Sequence, residues 1–119
     1  PIMSQFAAIE ALKSIDSFQP DMKSSFMARR NFIVNKLNKI GLSTELPTGA
    51  FYCFPSIKST GLTSEEFALK LLDQEKVAVV PGSVFGEGGE GYIRCCYAAS
   101  MEVLKECCVR IQRFIHNNK

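Results

Sequence analysis

The 119-residue chain has little of what metal-binding, nucleic-acid-binding or membrane-spanning proteins need. Its one histidine is His116, and its five cysteines show no Cys-x-x-Cys spacing, so we expect no metal site. Fourteen basic and twelve acidic residues give a net charge of only +2, and the basic residues are scattered, so we expect no nucleic-acid partner. No apolar run approaches the roughly 20 residues of a membrane span.

The cysteines and the first residues bear on location. An odd number of cysteines, without the charged-then-apolar pattern of a secretory signal, favours reduced thiols in a cytoplasmic protein. Such thiols act as small core hydrophobes. The sequence begins at Pro1 without an initiator Met, so we expect a processed or excised piece of a longer protein.

Apolar residues at helical spacing predict four helices, the first over residues 4–15 and the second from residue 20 to a stop at residue 41. The third helix follows a capping box, and the fourth closes the chain. The first helix is predicted to place Ala8, Leu12 and Ile15 on one stripe. Each start or stop has a residue typical of that position: Ser4, Pro20, Gly41, Thr63 with Glu66, and Ser100.

Three extended segments are predicted, over residues 51–57, 77–80 and 92–98. The last two are separated by a glycine-rich segment and most simply form an antiparallel hairpin. Helices can cover only one face of so small a sheet. We therefore predict an α+β fold: a two-layer sandwich with a small, mainly antiparallel sheet and helices packed on one face.

The glycine-rich segment, FGEGGEG (residues 85–91), invites comparison with phosphate-binding loops. A dinucleotide-binding loop leads into a helix whose N-terminus holds the phosphate, whereas a predicted strand follows here. Glu87 and Glu90 would repel an anion, and the Gly-Lys-Ser/Thr ending of a P-loop is absent. The sequence predicts a flexible hairpin loop instead.

Arg94 is the one charged residue inside the last predicted strand. Period-two alternation places it on one face with Tyr92, Cys96 and Ala98, and places Ile93, Cys95, Tyr97 and Ala99 on the other. A half-buried arginine stays charged, so it must reach an anion or water. Two interpretations remain open. One is structural: an ion pair within the domain, or a stem that lies along the sheet with its head in solvent. The other is a guanidinium fork presented to a ligand carboxylate or phosphate.

The ordered motifs resemble one family. PTGAFY (residues 47–52), VAVVPGSVFG (77–86), then Arg94 and a closing amphipathic helix resemble the C-terminal domain of class I/II aminotransferases. These are fold-type I enzymes that use pyridoxal phosphate. SQFAAIEAL (4–12) is similar to the family's helix after the cofactor-binding part of the large domain, and RRNFIVNKL (29–37) is similar to its long interdomain helix.

The resemblance implies roles for two residues. The arginine at the position of Arg94 binds the substrate α-carboxylate with a two-pronged contact. Gly49 lies on the segment that lines the substrate pocket, where a side chain would obstruct the approach. A plain turn glycine is the alternative at this position.

The resemblance also implies a division of the chain and a cofactor. Residues 1–18 would be a tail of the large domain or an interdomain helix, and residues 19–119 the C-terminal small domain. None of the lysines stands in the family's Schiff-base context, so the cofactor lysine is expected in the missing large domain. We therefore predict no catalytic or cofactor-binding residue in this chain, which alone should be inactive, and a homodimeric intact enzyme.

The implied reaction is amino-group transfer between an amino acid and a 2-oxo acid. Two alternatives stay open. One is another fold-type I reaction, such as that of a C–S lyase, which would use the same carboxylate anchor. The other is a stand-alone carboxylate-binding module without catalysis.

Overall fold

The computed structural model describes residues 1–14 and 20–118. Its regular elements are α1 (Ile2–Lys13), α2 (Pro20–Lys39), β1 (Tyr52–Cys53), α3 (Ser64–Glu75), β2 (Val80–Pro81), β3 (Ile93–Cys96) and α4 (Met101–Asn117). Short 3-10 turns cover Lys58–Thr60, Gly82–Phe85 and Glu87–Gly89. None of these helices has the combination of length and apolar character that crossing a membrane requires.

The three strands form one antiparallel sheet in the order β1-β3-β2. Cys53 lies opposite Cys95, and Val80 lies opposite Arg94. The predicted antiparallel pairing of the last two strands is confirmed, but all three strands are shorter than predicted, and β2 extends to Pro81, one residue past its predicted end. Pro55 and Pro81 have no backbone N–H to donate, but contacts continue beside them: the Ile93 amide donates to the Pro55 carbonyl at 3.1 Å, and the Gly82 amide donates to the Tyr92 carbonyl at 2.8 Å.

The core lies between the inward face of β3 and three helices, α2, α3 and α4. Ile93, from β3, has no exposed surface. The rings of Phe67 and Phe114, from α3 and α4, meet edge to face with their centroids 5.1 Å apart. The expectation that thiols act as small core hydrophobes is confirmed for three of them, Cys53, Cys95 and Cys108.

Most helix boundaries follow the predicted signals. Thr63 and Glu66 form the reciprocal capping box, and the Ser100 hydroxyl accepts a hydrogen bond from the Val103 amide. Helix α2 ends two residues before Gly41, whose φ of 93° suits glycine. Because each cap satisfies helix-end amides or carbonyls, the local sequence sets these boundaries.

The prediction of Ser4 as the first N-cap is wrong, because α1 already begins at Ile2 and has no side-chain cap. No residue of α1 is buried, so Ala8 and Leu12 do not contribute to the core. Ile15, the third member of the predicted stripe, lies outside the described residues. So does the expected boundary between residues 18 and 19.

Candidate functional site

Arg94 lies on the outward face of the central strand β3. The predicted alternation is confirmed, since Ile93, Cys95 and Tyr97 are buried while Arg94 is half-buried and Cys96 exposed. The apolar residues of β3 therefore point into the core, and the guanidinium of Arg94 points away from the core.

Two aromatic rings flank the Arg94 guanidinium. Its central carbon lies 5.3 Å from the ring centroid of Tyr52 and 5.1 Å from that of Phe85, both within the range of a cation–π interaction. Tyr52 comes from β1, on one side of β3, and Phe85 from the turn after β2, on the other side. The ring of Phe54 meets that of Phe85 edge to face, at 5.4 Å.

The N–H donors of the Arg94 guanidinium have no acceptor among residues 1–14 and 20–118. No carboxylate of that part of the chain lies within 4.0 Å of its guanidinium. An ion pair within the domain is therefore not realised among these residues.

Residues 82–89 fold into two 3-10 turns, which the sequence analysis did not predict. The backbones of Gly82 and Gly89 in these turns contact each other directly. A Cβ on Gly82 would lie 2.0 Å from the Gly89 carbonyl oxygen, and a Cβ on Gly89 would lie 2.0 Å from the Gly82 oxygen. Only glycine fits at either position, and this close packing fixes the turn that carries Phe85.

Glu90 ties the same segment to the N-terminus of α3. Its carboxylate accepts hydrogen bonds from the Ser64 amide and the Ser64 hydroxyl, each at 2.8 Å. The Ser64 hydroxyl in turn accepts one from the Ser83 amide at 3.3 Å. The Ser64 donors hold the pKa of Glu90 below its ordinary value. The sequence analysis missed this role, because Glu90 and Ser64 are 26 residues apart and no local pattern joins them.

Gly49 lies in an exposed bend before β1, and a Cβ there would meet nothing within 4 Å. The bend is supported by Tyr97, whose hydroxyl donates to the Ala50 carbonyl at 3.0 Å, and by Arg30, which donates to the Pro47 carbonyl at 3.1 Å. Gly49 borders a cleft of about 210 Å³, lined by Lys23, Phe26, Met27, Arg30, Thr48, Gly49, Ala50 and Tyr97. Arg94 is not among the residues that line this cleft.

Every lysine in residues 1–14 and 20–118 is exposed. These are Lys13, Lys23, Lys36, Lys39, Lys58, Lys70, Lys76 and Lys105. The same ranges contain no group of three or more residues arranged to hold a metal ion.

A comparison with a family model and a comparison with known proteins both relate this chain to aminotransferases. Residues 1–111 match the family model described as "Aminotransferase class I and II". The chain is 61% identical over 116 residues to the protein YugH of Bacillus subtilis (strain 168), covering 98% of this chain. It is 44% identical over 117 residues to aromatic-amino-acid aminotransferase 2 of Thermococcus litoralis, covering 97% of this chain.

The fold also matches that of solved structures. The crystal structure of an aromatic aminotransferase from Pyrococcus horikoshii OT3 superposes with a TM-score of 0.86 and 44% identity, over 95% of this chain and 31% of that one. The chain spans 30% of the length of the two curated relatives above. The similarity thus covers nearly all of this chain and less than a third of each relative.

Proposed function

Since this chain belongs to the class I and II aminotransferase family, we propose that it is the C-terminal part of a pyridoxal-phosphate-dependent aminotransferase. Residues 19–119 would form the small domain, and residues 1–18 a tail of the large domain or an interdomain helix. The coverage of only 30% of the relatives' length supports the view that the chain is one part of a longer enzyme. So does α1, whose apolar side chains Ile2, Met3, Phe6, Ile9 and Leu12 are each at least half exposed and available to pack on another part of a larger protein.

The role proposed for Arg94 is to bind the α-carboxylate of the amino acid and of the 2-oxo acid. The observation that carries this proposal is a half-buried guanidinium with no acceptor among the described residues. Such a group stays charged, and its planar fork of donors matches the two oxygens of a carboxylate. A substrate carboxylate would supply the acceptors that the described chain does not.

This chain's contribution to the reaction would be to bind and orient the substrate. Pyridoxal phosphate supplies the electron sink when it is bound, and we propose that its lysine lies outside this chain. Gly49 would line the substrate pocket, where the absence of a side chain leaves the surface open. The 119-residue chain alone should therefore have no transaminase activity.

The proposed domain is a two-layer sandwich. The inward residues of β3 pack with α2, α3 and α4, while the outward face of the same strand carries Arg94. Helices on one side would leave the other side of the sheet open toward the large domain and the substrate. A homodimeric state and a cytoplasmic location for the intact enzyme stay predictions.

The substitution Arg94→Lys in the full-length enzyme tests the proposal. It keeps the charge but removes the fork, so one of two charge-assisted contacts is lost. We expect kcat/KM for an amino acid to fall about 30- to 400-fold. The matching amine has no carboxylate to bind, so its poor turnover should hardly change.

Arg113→Lys provides the matched control. Arg113 lies on α4 and binds Glu75, so its substitution should affect both substrates equally through stability alone. Equal losses for the amino acid and the amine in Arg94→Lys would remove Arg94 from the substrate site.

A further inference from the structure

Strand β3 alone does not determine the orientation of Arg94. The two rings that contact its guanidinium come from β1 and from the turn after β2. We propose that Tyr52 and Phe85 are positioning residues, which restrain the guanidinium in one orientation while leaving its N–H donors available. The consequence for substrate binding rests on the proposed function; the restraint itself does not.

The physical argument concerns how a long side chain is ordered. Fixing an arginine costs rotamer entropy, which must be offset either before the ligand arrives or during binding. A carboxylate partner would order the side chain but would occupy its donors. Aromatic rings attract the cation through their faces and leave the in-plane N–H groups unused. Restraint by rings is therefore suited to an arginine that must be both ordered and available.

Phe85 is not explained by the core. Its side chain is 51% exposed, so it contributes little to folding by burial. Nevertheless its position is well defined, because the turn that carries it is fixed by the contact between Gly82 and Gly89. Phe54 supports the ring from the side, at 5.4 Å. The glycine-rich segment thus presents a half-exposed ring to Arg94.

Nuclear magnetic resonance of the arginine Nε–H groups in the 119-residue chain tests the restraint directly, with the resonances assigned by Arg→Lys variants. We expect a high heteronuclear NOE for Arg94 in the unsubstituted chain. Phe85→Leu, which removes the ring, should lower this NOE and change the Arg94 chemical shift. Phe85→Tyr, which keeps the ring, should preserve both values.

Two controls distinguish a lost restraint on the Arg94 side chain from a general loosening of the structure. Val84→Ala changes a neighbouring side chain that is 65% exposed, and it should leave the Arg94 resonance unchanged. The Arg113 Nε–H donates to Glu75 at 2.9 Å, so its resonance should stay ordered in every variant. If Phe85→Leu does not fold, the same measurement is made on Tyr52→Leu, which removes the other ring.

An Arg94 side chain that is mobile in the unsubstituted chain, or equally ordered without either ring, would overturn the proposal.

In the full-length enzyme, Phe85→Leu should raise KM for an amino acid about 2- to 10-fold, since ordering then occurs on binding. Turnover of the amine should not change. The resonance experiment contains no carboxylate, so the restraint can stand even where Arg94→Lys disproves substrate binding, and the reverse also holds.

Discussion

Two regions of the molecule use arginine in opposite ways. Between α3 and α4, the buried carboxylate of Glu75 accepts two hydrogen bonds from Arg113 Nε, at 2.9 and 3.0 Å, and another from its Nη2. Arg110 donates to the Glu75 carbonyl at 3.0 Å and to Glu106 at 2.8 Å. On the outward face of β3, Arg94 contacts two rings and has no acceptor within the described ranges.

We propose that this difference distinguishes a structural arginine from one that binds substrate. Where donors are paired within the chain, the guanidinium joins two helices, and its loss leaves a buried acid without its partner. Where donors are unpaired and the side chain is restrained by rings, its loss leaves no partner behind. We therefore expect substitutions in the first region to change stability, and substitutions of Arg94 itself to change binding.

The largest effect is expected from Gly82→Ala, which disrupts the support of the Arg94 region. The added Cβ would lie 2.0 Å from the Gly89 oxygen and 2.6 Å from the Tyr92 oxygen, so backbone must move. We expect the free energy of unfolding to fall by about 2–3 kcal/mol in urea titrations. Gly88→Ala is the control, since its Cβ meets nothing within 4 Å and should cost less than about 0.5 kcal/mol. Similar losses for both variants would contradict the close packing.

A smaller effect is expected from Glu75→Gln in the other region. Hydrogen bonds from Arg113 hold the pKa of Glu75 below its ordinary value of 4.5, so the carboxylate stabilises the folded state above that pH. This stabilisation is lost as the pH falls below 4.5 toward the folded pKa. Glu75→Gln should therefore lower the melting temperature at pH 7, and the gap from the unsubstituted chain should narrow on acidification. Glu106→Gln, at an exposed acid, should lower the melting temperature less. A difference in melting temperature between Glu75→Gln and the unsubstituted chain that did not depend on pH would contradict this role of the Glu75 carboxylate.

The smallest effect should be that of Arg94→Lys on stability. No acceptor among the described residues is left unpaired by the change, so the free energy of unfolding should stay within about 0.5 kcal/mol. Thermal denaturation of Arg94→Lys and of Arg113→Lys compares the stability of the two variants directly. A loss for Arg94→Lys as large as that for Arg113→Lys would mean that both arginines are structural.

Local signals in the sequence predict most of the fold. The capping box at Thr63 and Glu66 and the cap at Ser100 are confirmed, since each depends on a few neighbouring residues. The predicted alternation around Arg94 agrees with the burial pattern of β3. These features depend on periodicity and helix-end chemistry, which can be read without knowing the tertiary structure.

Contacts between distant residues could not be predicted in this way. The bond between Glu90 and Ser64 joins residues 26 positions apart, and no local pattern indicates it. The same holds for Phe85 beside Arg94, because it depends on how the glycine turns pack. Composition predicted a flexible loop and gave no sign of the contact between Gly82 and Gly89.

The opposite faces of β3 also have a consequence for folding. Tyr97, directly after β3, is buried and donates to the Ala50 carbonyl, while Arg94, three residues earlier, points outward. Shifting the strand by one residue against its neighbours would exchange the two faces and would bring a guanidinium into the core. An unpaired charge there is so unfavourable that the shifted pairing should not accumulate. A single-residue insertion or deletion within β3 should consequently be tolerated far less well than one in the exposed bend around Gly49.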